Sequence, residues 1–205
     1  QLIDLAGKVL MPGMIDTHSH PIMGAMASLR ANLYDEVLAL DELRLMPNAR
    51  PPHRDMPQVS AQDRLAMVAA AVAGVPGLVA GETEIQMGGP SYTVDTLRRL
   101  SDVHTDASFF TIVGDDAAAG LPTWERFHEL TELTQLVVVD RPGSPVELSA
   151  AINWIRVEVP HLDVSSTDLR SRFTDGRPLD YLITQQVLDV IHERSLYSSP
   201  IGAQA

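Results

Sequence analysis

The stretch that decides the fold covers residues 108–140 and reads SFFTIVGDDAAAGLPTWERFHELTELTQLVVVD. Its two ends, Ser108–Val113 and Gln135–Asp140, are short runs rich in apolar residues, which is typical of buried strands. Between them, Thr123–Leu133 carries apolar residues at helical spacing. Two buried strands joined through a helix form a parallel βαβ unit, whose crossover is right-handed. This stretch therefore predicts an α/β protein with a parallel sheet.

The same alternation continues on both sides of this stretch. Further strands are predicted at Lys8–Met11, Glu42–Met46, Gly77–Ala80 and Ile155–Val159. Further helices are predicted at Gly24–Leu38, Ser60–Ala73, Thr93–Leu100, Ser166–Phe173 and Thr184–Arg194. Short apolar strands that alternate with amphipathic helices form a sheet that is covered on both faces. We therefore expect a doubly wound, Rossmann-like α/β domain that binds ligands at the carboxyl ends of its strands.

Length and composition favour a single domain over residues 1–205, since 45% of the residues are hydrophobic and can form a sizeable core. The absence of cysteine excludes disulfide scaffolds, cysteine-based zinc fingers and a cysteine nucleophile. With 15 basic and 27 acidic side chains the formal net charge is −12. Neither nucleic acid nor an anionic membrane is therefore an expected partner.

No apolar run approaches the roughly 20 residues of a membrane span, and the first residues lack the pattern of a signal peptide. We therefore expect a cytoplasmic protein. The sequence starts with Gln1 rather than Met, which is consistent with a start that has been trimmed, processed or joined to another sequence.

A candidate phosphate site is the stretch Asp163-Val-Ser-Ser-Thr-Asp-Leu-Arg170 at a predicted junction of strand and helix. Hydroxyl residues there can cap the helix and leave first-turn N–H groups pointing outward. Arg170 lies one turn further on and can face the same ligand. This arrangement suits a polyphosphate, although the same pattern also describes an ordinary serine cap followed by a solvated arginine.

Several other motifs occur together and in a fixed order. They are Pro47-Asn-Ala-Arg-Pro-Pro-His-Arg54, Gly88-Gly-Pro-Ser-Tyr-Thr-Val-Asp-Thr-Leu97, Gly114-Asp-Asp116, Leu121-Pro-Thr-Trp124 and Arg141-Pro-Gly143. With the stretch that ends at Arg170, this set resembles bacterial nicotinate mononucleotide adenylyltransferases over about residues 39–197. The resemblance implies a Rossmann-like nucleotidyltransferase domain of the type named after a His-x-Gly-His motif. It also implies self-association.

The implied reaction is transfer of AMP from ATP to the phosphate of nicotinate mononucleotide, with Mg²⁺, giving nicotinate adenine dinucleotide and pyrophosphate. Such a transfer depends on positioning two anions and on neutralising charge that develops on the leaving group, so hydrogen-bond donors and cations matter more than a nucleophile.

The resemblance also implies roles for individual residues. The ATP phosphates would be held by Ser165, Ser166, Thr167 and Arg170, and the last of these would also be catalytic. Tyr92, Thr93 and Trp124 would surround the nicotinate ring and its carboxylate, because aromatic faces suit a flat heterocycle. Gly114 and Asp116 would lie near ATP, while His53, Arg54 and Arg141 would approach the mononucleotide. Taken alone, Trp124 could equally be a core aromatic, Gly114–Asp116 a turn, and His53 and Arg54 solvated loop residues.

The sequence at the first predicted junction of strand and helix differs from the signature motif of this family. The family signature is Gly-Gly-Thr/Ser-Phe-Asp-Pro-x-His-x-Gly-His, whereas this chain has Pro12-Gly-Met-Ile-Asp-Thr-His-Ser-His-Pro-Ile-Met-Gly24. Gly13 and Asp16 can be placed on the ATP-binding positions of that signature. His18 and His20 lie near its two histidines, which bind phosphates, and are therefore our candidates for catalytic residues.

Residues 2–21 resemble a second family. Leu10-Met-Pro-Gly-Met-Ile-Asp-Thr-His-Ser-His20 is similar to the metal-binding start of the amidohydrolase superfamily, in which a His-x-His ligates divalent metals. That family needs a barrel of about 250 residues, so we treat residues 1–24 as an atypical N-terminal segment without a metal site. Three hypotheses stay open: an active transferase that uses His18 or His20, a nucleotide-binding protein of the same fold with impaired catalysis, and a metal-dependent hydrolase.

Overall fold

The computed structural model of the protein describes residues 8–12, 41–52, 56–140, 147–158 and 165–197, with the backbone alone for residues 8–12, 116, 140 and 158. The strands in this part of the chain are β1 (Lys8–Pro12), β2 (Glu42–Leu45), β3 (Leu78–Ala80), β4 (Ser108–Gly114), β5 (Gln135–Asp140) and β6 (Trp154–Glu158). The helices are α1 (Ala61–Val72), α2 (Thr83–Met87), α3 (Thr93–Val103), α4 (Asp115–Gly120), α5 (Phe127–Leu133), α6 (Ser166–Asp175) and α7 (Gln185–Glu193), with a 3₁₀ turn at Leu121–Thr123.

The described strands form one parallel sheet in the order β3-β2-β1-β4-β5-β6. The order reverses between β1 and β4, where Pro12 lies opposite Ile112. This is the strand order of the doubly wound Rossmann fold, in which ligands bind at the point of reversal, outside the carboxyl ends of the strands. The expected fold is confirmed.

Both faces of the sheet are buried, as the near-continuous apolar runs of β4 and β5 predict. Phe110 of β4 belongs to a core cluster with Val68 of α1, on one face. Its neighbour Phe109 belongs to a cluster with Leu97 of α3 and Leu130 of α5, on the other face. Successive strand residues point to opposite faces, so one strand contributes to both layers of the core.

The strands agree with the sequence predictions to within one residue at each described end. The predicted helix Thr123–Leu133 was wrong at its start, because α5 begins at Phe127. Trp124 has an extended backbone (φ −71°, ψ 150°) and Arg126 a left-handed one (φ 49°, ψ 46°), and neither continues a helix. The predicted helix Gly24–Leu38 lies outside the described residues.

Two described helices, α2 and α4, were not predicted. They have five and six residues, which is less than two turns and too short for an apolar periodicity to emerge. In the part of the chain that the structure describes, no helix is both long and apolar enough to cross a bilayer.

Candidate active site

A small cleft of about 30 Å³ lies at the start of α3. Its lining consists of Pro52, Ser91, Tyr92, Thr93, Val94, Trp124, Glu125 and Leu130. The three residues assigned to the nicotinate ring, Tyr92, Thr93 and Trp124, therefore lie in one cleft, although Trp124 is more than 30 positions from the other two in the chain.

The wall formed by Tyr92 and Thr93 is a helix start. Gly88 and Gly89 have positive φ angles of 67° and 71°, which glycine adopts without steric cost, and the chain then runs extended through Tyr92 into α3. The first N–H groups of a helix, here those of Thr93 and Val94, have no intrahelical partner. They provide donors and a positive dipole end beside the cleft, which suits an anion.

The opposite wall is the turn that carries Trp124. Its backbone N–H closes the 3₁₀ turn by donating to the Leu121 carbonyl oxygen at 3.0 Å. Two residues later, Arg126 forms an ion pair with Asp95 in the first turn of α3, with Nη2 and Oδ2 2.6 Å apart. Arg126 therefore ties the turn of Trp124 to the helix that begins at Thr93.

The candidate phosphate site forms the start of α6. The Ser165 hydroxyl caps this helix and accepts the Asp168 N–H at 3.1 Å. Ser166 is only 7% exposed, so the group it can present to a ligand is its backbone N–H rather than its side chain. Thr167 is exposed, and its hydroxyl accepts a hydrogen bond from Arg170 Nη2 at 3.2 Å.

Two other arginines near this helix are neutralised by carboxylates. Arg172 Nε lies 2.8 Å from Asp168, and Arg177 lies 2.7 Å from Asp168 and 2.8 Å from Asp175. Hydrogen bonds from Arg172 and then Arg177 hold the pKa of the Asp168 carboxyl below its usual value. Among the arginines of α6, Arg170 is thus the one that no carboxylate in the described part of the chain neutralises.

Gly114 ends β4, beside the point where the strand order reverses, and forms the N-cap of α4. Asp116 lies in the first turn of that helix, and its backbone alone is described. Both residues are therefore located at the ligand-binding edge of the sheet. As far as the described residues go, no residue of α6 lines the cleft.

The remaining candidates, Gly13, Asp16, His18, His20, His53, Arg54 and Arg141, lie outside the described residues. Within the described ranges, no group of three or more histidine, aspartate or glutamate side chains could hold a metal ion.

Sequence reasoning missed a buried polar cluster beside the cleft. It contains Arg64 of α1, which is 5% exposed, Asn48, which is 2% exposed, and the carboxylate of Glu84. Arg64 Nη2 donates to the Ala49 carbonyl oxygen at 3.3 Å. The periodicity of α1 could have revealed Arg64, because it lies three and four residues before the buried Met67 and Val68.

The variant Glu84→Gln is expected to change the pH dependence of stability. Burial raises the pKa of the Glu84 carboxyl above 4.5, against the opposing effects of Ser91, Thr96 and Arg64. The folded protein therefore binds this proton more tightly than the unfolded chain, and the stability that the raised pKa confers is fully present below the unfolded pKa. As the pH rises through the folded pKa, the unfolding free energy of the wild type should fall relative to that of the variant.

Urea denaturation of both proteins between about pH 4 and pH 8 measures this difference. Glu82→Gln is the matched control, because Glu82 is an exposed carboxylate two residues away and should show no such trend. The raised pKa would be contradicted if the unfolding free energy of the wild type, relative to that of Glu84→Gln, stayed constant or rose with pH.

The chain is similar to known proteins in sequence and in structure. The family model named Cytidylyltransferase-like matches residues 31–172. A probable nicotinate-nucleotide adenylyltransferase of Pseudomonas entomophila is 41% identical over 183 residues, which cover 79% of this chain and 84% of the relative. One of Pseudomonas fluorescens is 39% identical over 187 residues, covering 80% and 87%.

Solved structures of a Plasmodium falciparum nicotinic acid mononucleotide adenylyltransferase share the fold. The complex with NaAD has a TM-score of 0.65 and 14% identity, covering 92% of this chain and 96% of that one. The complex with APC has a TM-score of 0.66 and 14% identity, covering 93% and 97%. The fold and the matched family model define the protein as a cytidylyltransferase-like nucleotidyltransferase. Within that class, the chain belongs to the family of nicotinate-nucleotide adenylyltransferases.

Proposed function

We propose that this protein transfers the adenylyl group of ATP to nicotinate mononucleotide in the biosynthesis of NAD. A phosphate oxygen of the mononucleotide attacks the α-phosphorus of ATP, the bond from that phosphorus to the bridging oxygen breaks, and pyrophosphate leaves. The products are nicotinate adenine dinucleotide and pyrophosphate. The observation that carries the proposal is the cleft that unites Tyr92, Thr93 and Trp124 in a chain of this family.

In this mechanism the cleft holds the nicotinate ring. Trp124 and Tyr92 supply aromatic faces for stacking, and the first N–H groups of α3, with the Thr93 hydroxyl, supply donors for the carboxylate. An apolar cavity of about 150 Å³ can hold benzene, whereas this cleft measures only about 30 Å³. We therefore expect the Trp124 side chain to move outward as the ring enters, a common rearrangement on binding.

The start of α6 binds the phosphates of ATP in this proposal. Ser165 and Thr167 offer hydroxyls, Ser166 offers a backbone N–H, and Arg170 offers a charge that no described carboxylate neutralises. The transfer needs no activated nucleophile, because the second pKa of a phosphate monoester is about 6 and the attacking oxygen is already ionised at neutral pH. Neutralising the charge that develops on pyrophosphate is then the main task.

The other candidates complete this assignment. We assign Gly114, Asp116, Gly13 and Asp16 to ATP, and His53, Arg54 and Arg141 to the mononucleotide. His18 and His20 would contact the reacting phosphates.

Mg²⁺ enters as part of the substrate MgATP. This ion prefers to keep several waters and phosphate oxygens as ligands rather than a cage of protein side chains. The described residues, which contain no cluster of metal-ligating side chains, are compatible with that mode of binding. A cytoplasmic location, self-association and a single domain over residues 1–205 remain predictions.

The test is to supply the purified protein with MgATP and either nicotinate or nicotinamide mononucleotide, and to measure release of pyrophosphate together with the dinucleotide product. We expect turnover with the nicotinate compound. Binding of ATP in calorimetry without any pyrophosphate would instead support a nucleotide-binding protein with impaired catalysis. Hydrolytic activity that depends on added zinc would support the hydrolase. The names of the relatives favour the transferase over both.

A further inference from the structure

We propose that Glu84 and Ser91 are positioning residues that set the geometry of the mononucleotide cleft. This inference rests on the proposed function of the cleft. Neither residue is a candidate for contact with the reacting phosphates. Both belong to a hydrogen-bonded network that joins the segment 47–52, after β2, to the segment 88–93, before α3.

Ser91 is the centre of the network. Its hydroxyl oxygen accepts the Ala49 N–H at 2.8 Å, and its own backbone N–H donates to the Arg50 carbonyl oxygen at 2.9 Å. Arg50 and Pro90 also form an isolated parallel bridge. Two segments about 40 residues apart in the chain are therefore held together by backbone groups and one serine hydroxyl.

Glu84 determines the direction in which the Ser91 hydroxyl points. A serine hydroxyl has a single proton to donate. The oxygen already accepts from Ala49, which leaves the proton for the Glu84 carboxyl; hydrogen bonding to Ser91 lowers the pKa of that carboxyl against the larger, opposite effect of burial. The hydroxyl of Thr96 of α3, which is fully buried, lies 3.2 Å from Glu84 Oε1 and 3.3 Å from the Tyr92 carbonyl oxygen, so its one proton has two acceptors. One half-buried carboxylate thus contacts both Ser91, two residues before the helix, and the first turn of the helix.

The network already contains buried polar groups that lack hydrogen-bond partners among the described residues. Arg64 Nη2 donates to the carbonyl oxygen of Ala49, the residue whose N–H binds Ser91. In the described structure, Arg64 Nε, Arg64 Nη1 and Asn48 Oδ1 are buried without a hydrogen-bond partner. Because these buried groups already lack partners there, removing Glu84 or Ser91 would leave further buried polar groups unsatisfied.

The geometry of the cleft depends on this network directly. Ser91 lines the cleft, as do Pro52 of the first segment and Tyr92 and Thr93 of the second. The hydrogen bonds of Ser91 therefore fix the distance between two parts of the cleft wall. Small displacements of positioning groups have large effects on bound geometry, so losing these bonds should weaken binding of the nicotinate ring and leave the ATP site unchanged.

The experiment compares Ser91→Ala, Glu84→Ala and the double variant with wild type in steady-state kinetics, because glutamine at position 84 would still accept a hydrogen bond. Each single change is expected to raise the KM for nicotinate mononucleotide about tenfold, which corresponds to one lost hydrogen bond in a buried network. The KM for ATP and kcat should stay within about twofold. The loss in the double variant should be smaller than the sum of the two single losses, because both changes remove the bond between Ser91 and Glu84.

The controls separate positioning from general loss of stability. Ser91→Thr keeps the hydroxyl and should restore the low KM, while Glu82→Gln changes an exposed carboxylate outside the network and should match wild type. Quenching of Trp124 fluorescence by nicotinate mononucleotide provides a binding measurement without turnover. If Glu84→Ala does not fold, Ser91→Ala and Ser91→Thr still decide the question.

An unchanged KM for the mononucleotide in Ser91→Ala, or equal losses in both KM values and kcat, would overturn the inference. Additive effects in the double variant would also overturn it, since they would show that Glu84 and Ser91 act separately. Failure of the proposed function is distinguishable, because wild type itself would then neither bind nor convert nicotinate mononucleotide.

Discussion

Replacement of Arg170 by alanine is expected to lower kcat/KM for the adenylyl transfer by about 100- to 1000-fold, the loss typical of removing one preorganised charge-stabilising group. Arg170 is the arginine of α6 that has no partner among the described carboxylates, whereas Arg172 and Arg177 bind Asp168. Its charge can therefore stabilise the pyrophosphate that leaves, and most of the effect should fall on kcat.

Initial rates of pyrophosphate release, at varied MgATP and saturating mononucleotide, measure this loss. Arg170→Lys keeps a charge without the planar fork and should recover part of the rate. Arg99→Ala removes an exposed arginine of α3 and serves as the matched control. An Arg170→Ala variant within about twofold of wild type would exclude Arg170 from the phosphate site.

Replacement of Trp124 by alanine is expected to weaken binding of nicotinate mononucleotide by about 10- to 100-fold, because stacking of a heterocycle on an aromatic side chain contributes about 1–3 kcal/mol. Trp124 lines the cleft across from the start of α3 and is only partly buried, so its face remains accessible to a ring. The affinity for ATP should not change.

Calorimetric titration with each ligand separately measures both affinities. Trp124→Phe retains a smaller aromatic face and should bind with intermediate affinity. Trp154→Phe is the control, since Trp154 lies in β6 and its Nε1 has no hydrogen-bond partner within the described structure, so no hydrogen bond is lost. Unchanged mononucleotide affinity in Trp124→Ala would show that Trp124 is a core aromatic and not part of the ring site.

The elements that follow a simple local pattern were predictable. β5 agrees with its prediction at both ends because a run such as Leu136–Val139 is typical of a strand buried on two faces. The start of α5 was not predictable in the same way. Arg126 adopts a left-handed backbone there and forms an ion pair with Asp95, a residue of another helix, and tertiary contacts of this kind override helical propensity.

Charged residues were the least predictable part of the site. Arg64 and Glu84 resemble solvated surface residues in the sequence, yet Arg64 is buried, Glu84 is half-buried, and both belong to the network around Ser91. Ser91 lies inside a recognised motif, but only its neighbours Tyr92 and Thr93 were assigned a role. A role that consists of holding other residues in place leaves no signature in residue type or spacing.

The sequence by itself determined the parallel α/β architecture, the family and three residues that line one cleft, Tyr92, Thr93 and Trp124, because strand and helix periodicity and family motifs are properties of consecutive residues. Only the tertiary structure decided that Ser91 binds Ala49, 42 positions away, and that Arg172 and Arg177 bind Asp168 while Arg170 pairs with no carboxylate of the described residues. These outcomes depend on which segments the strand order and the crossovers bring together, and on how far each charge is removed from water. Neither the pairing of distant segments nor the burial of a charge can be obtained from local sequence.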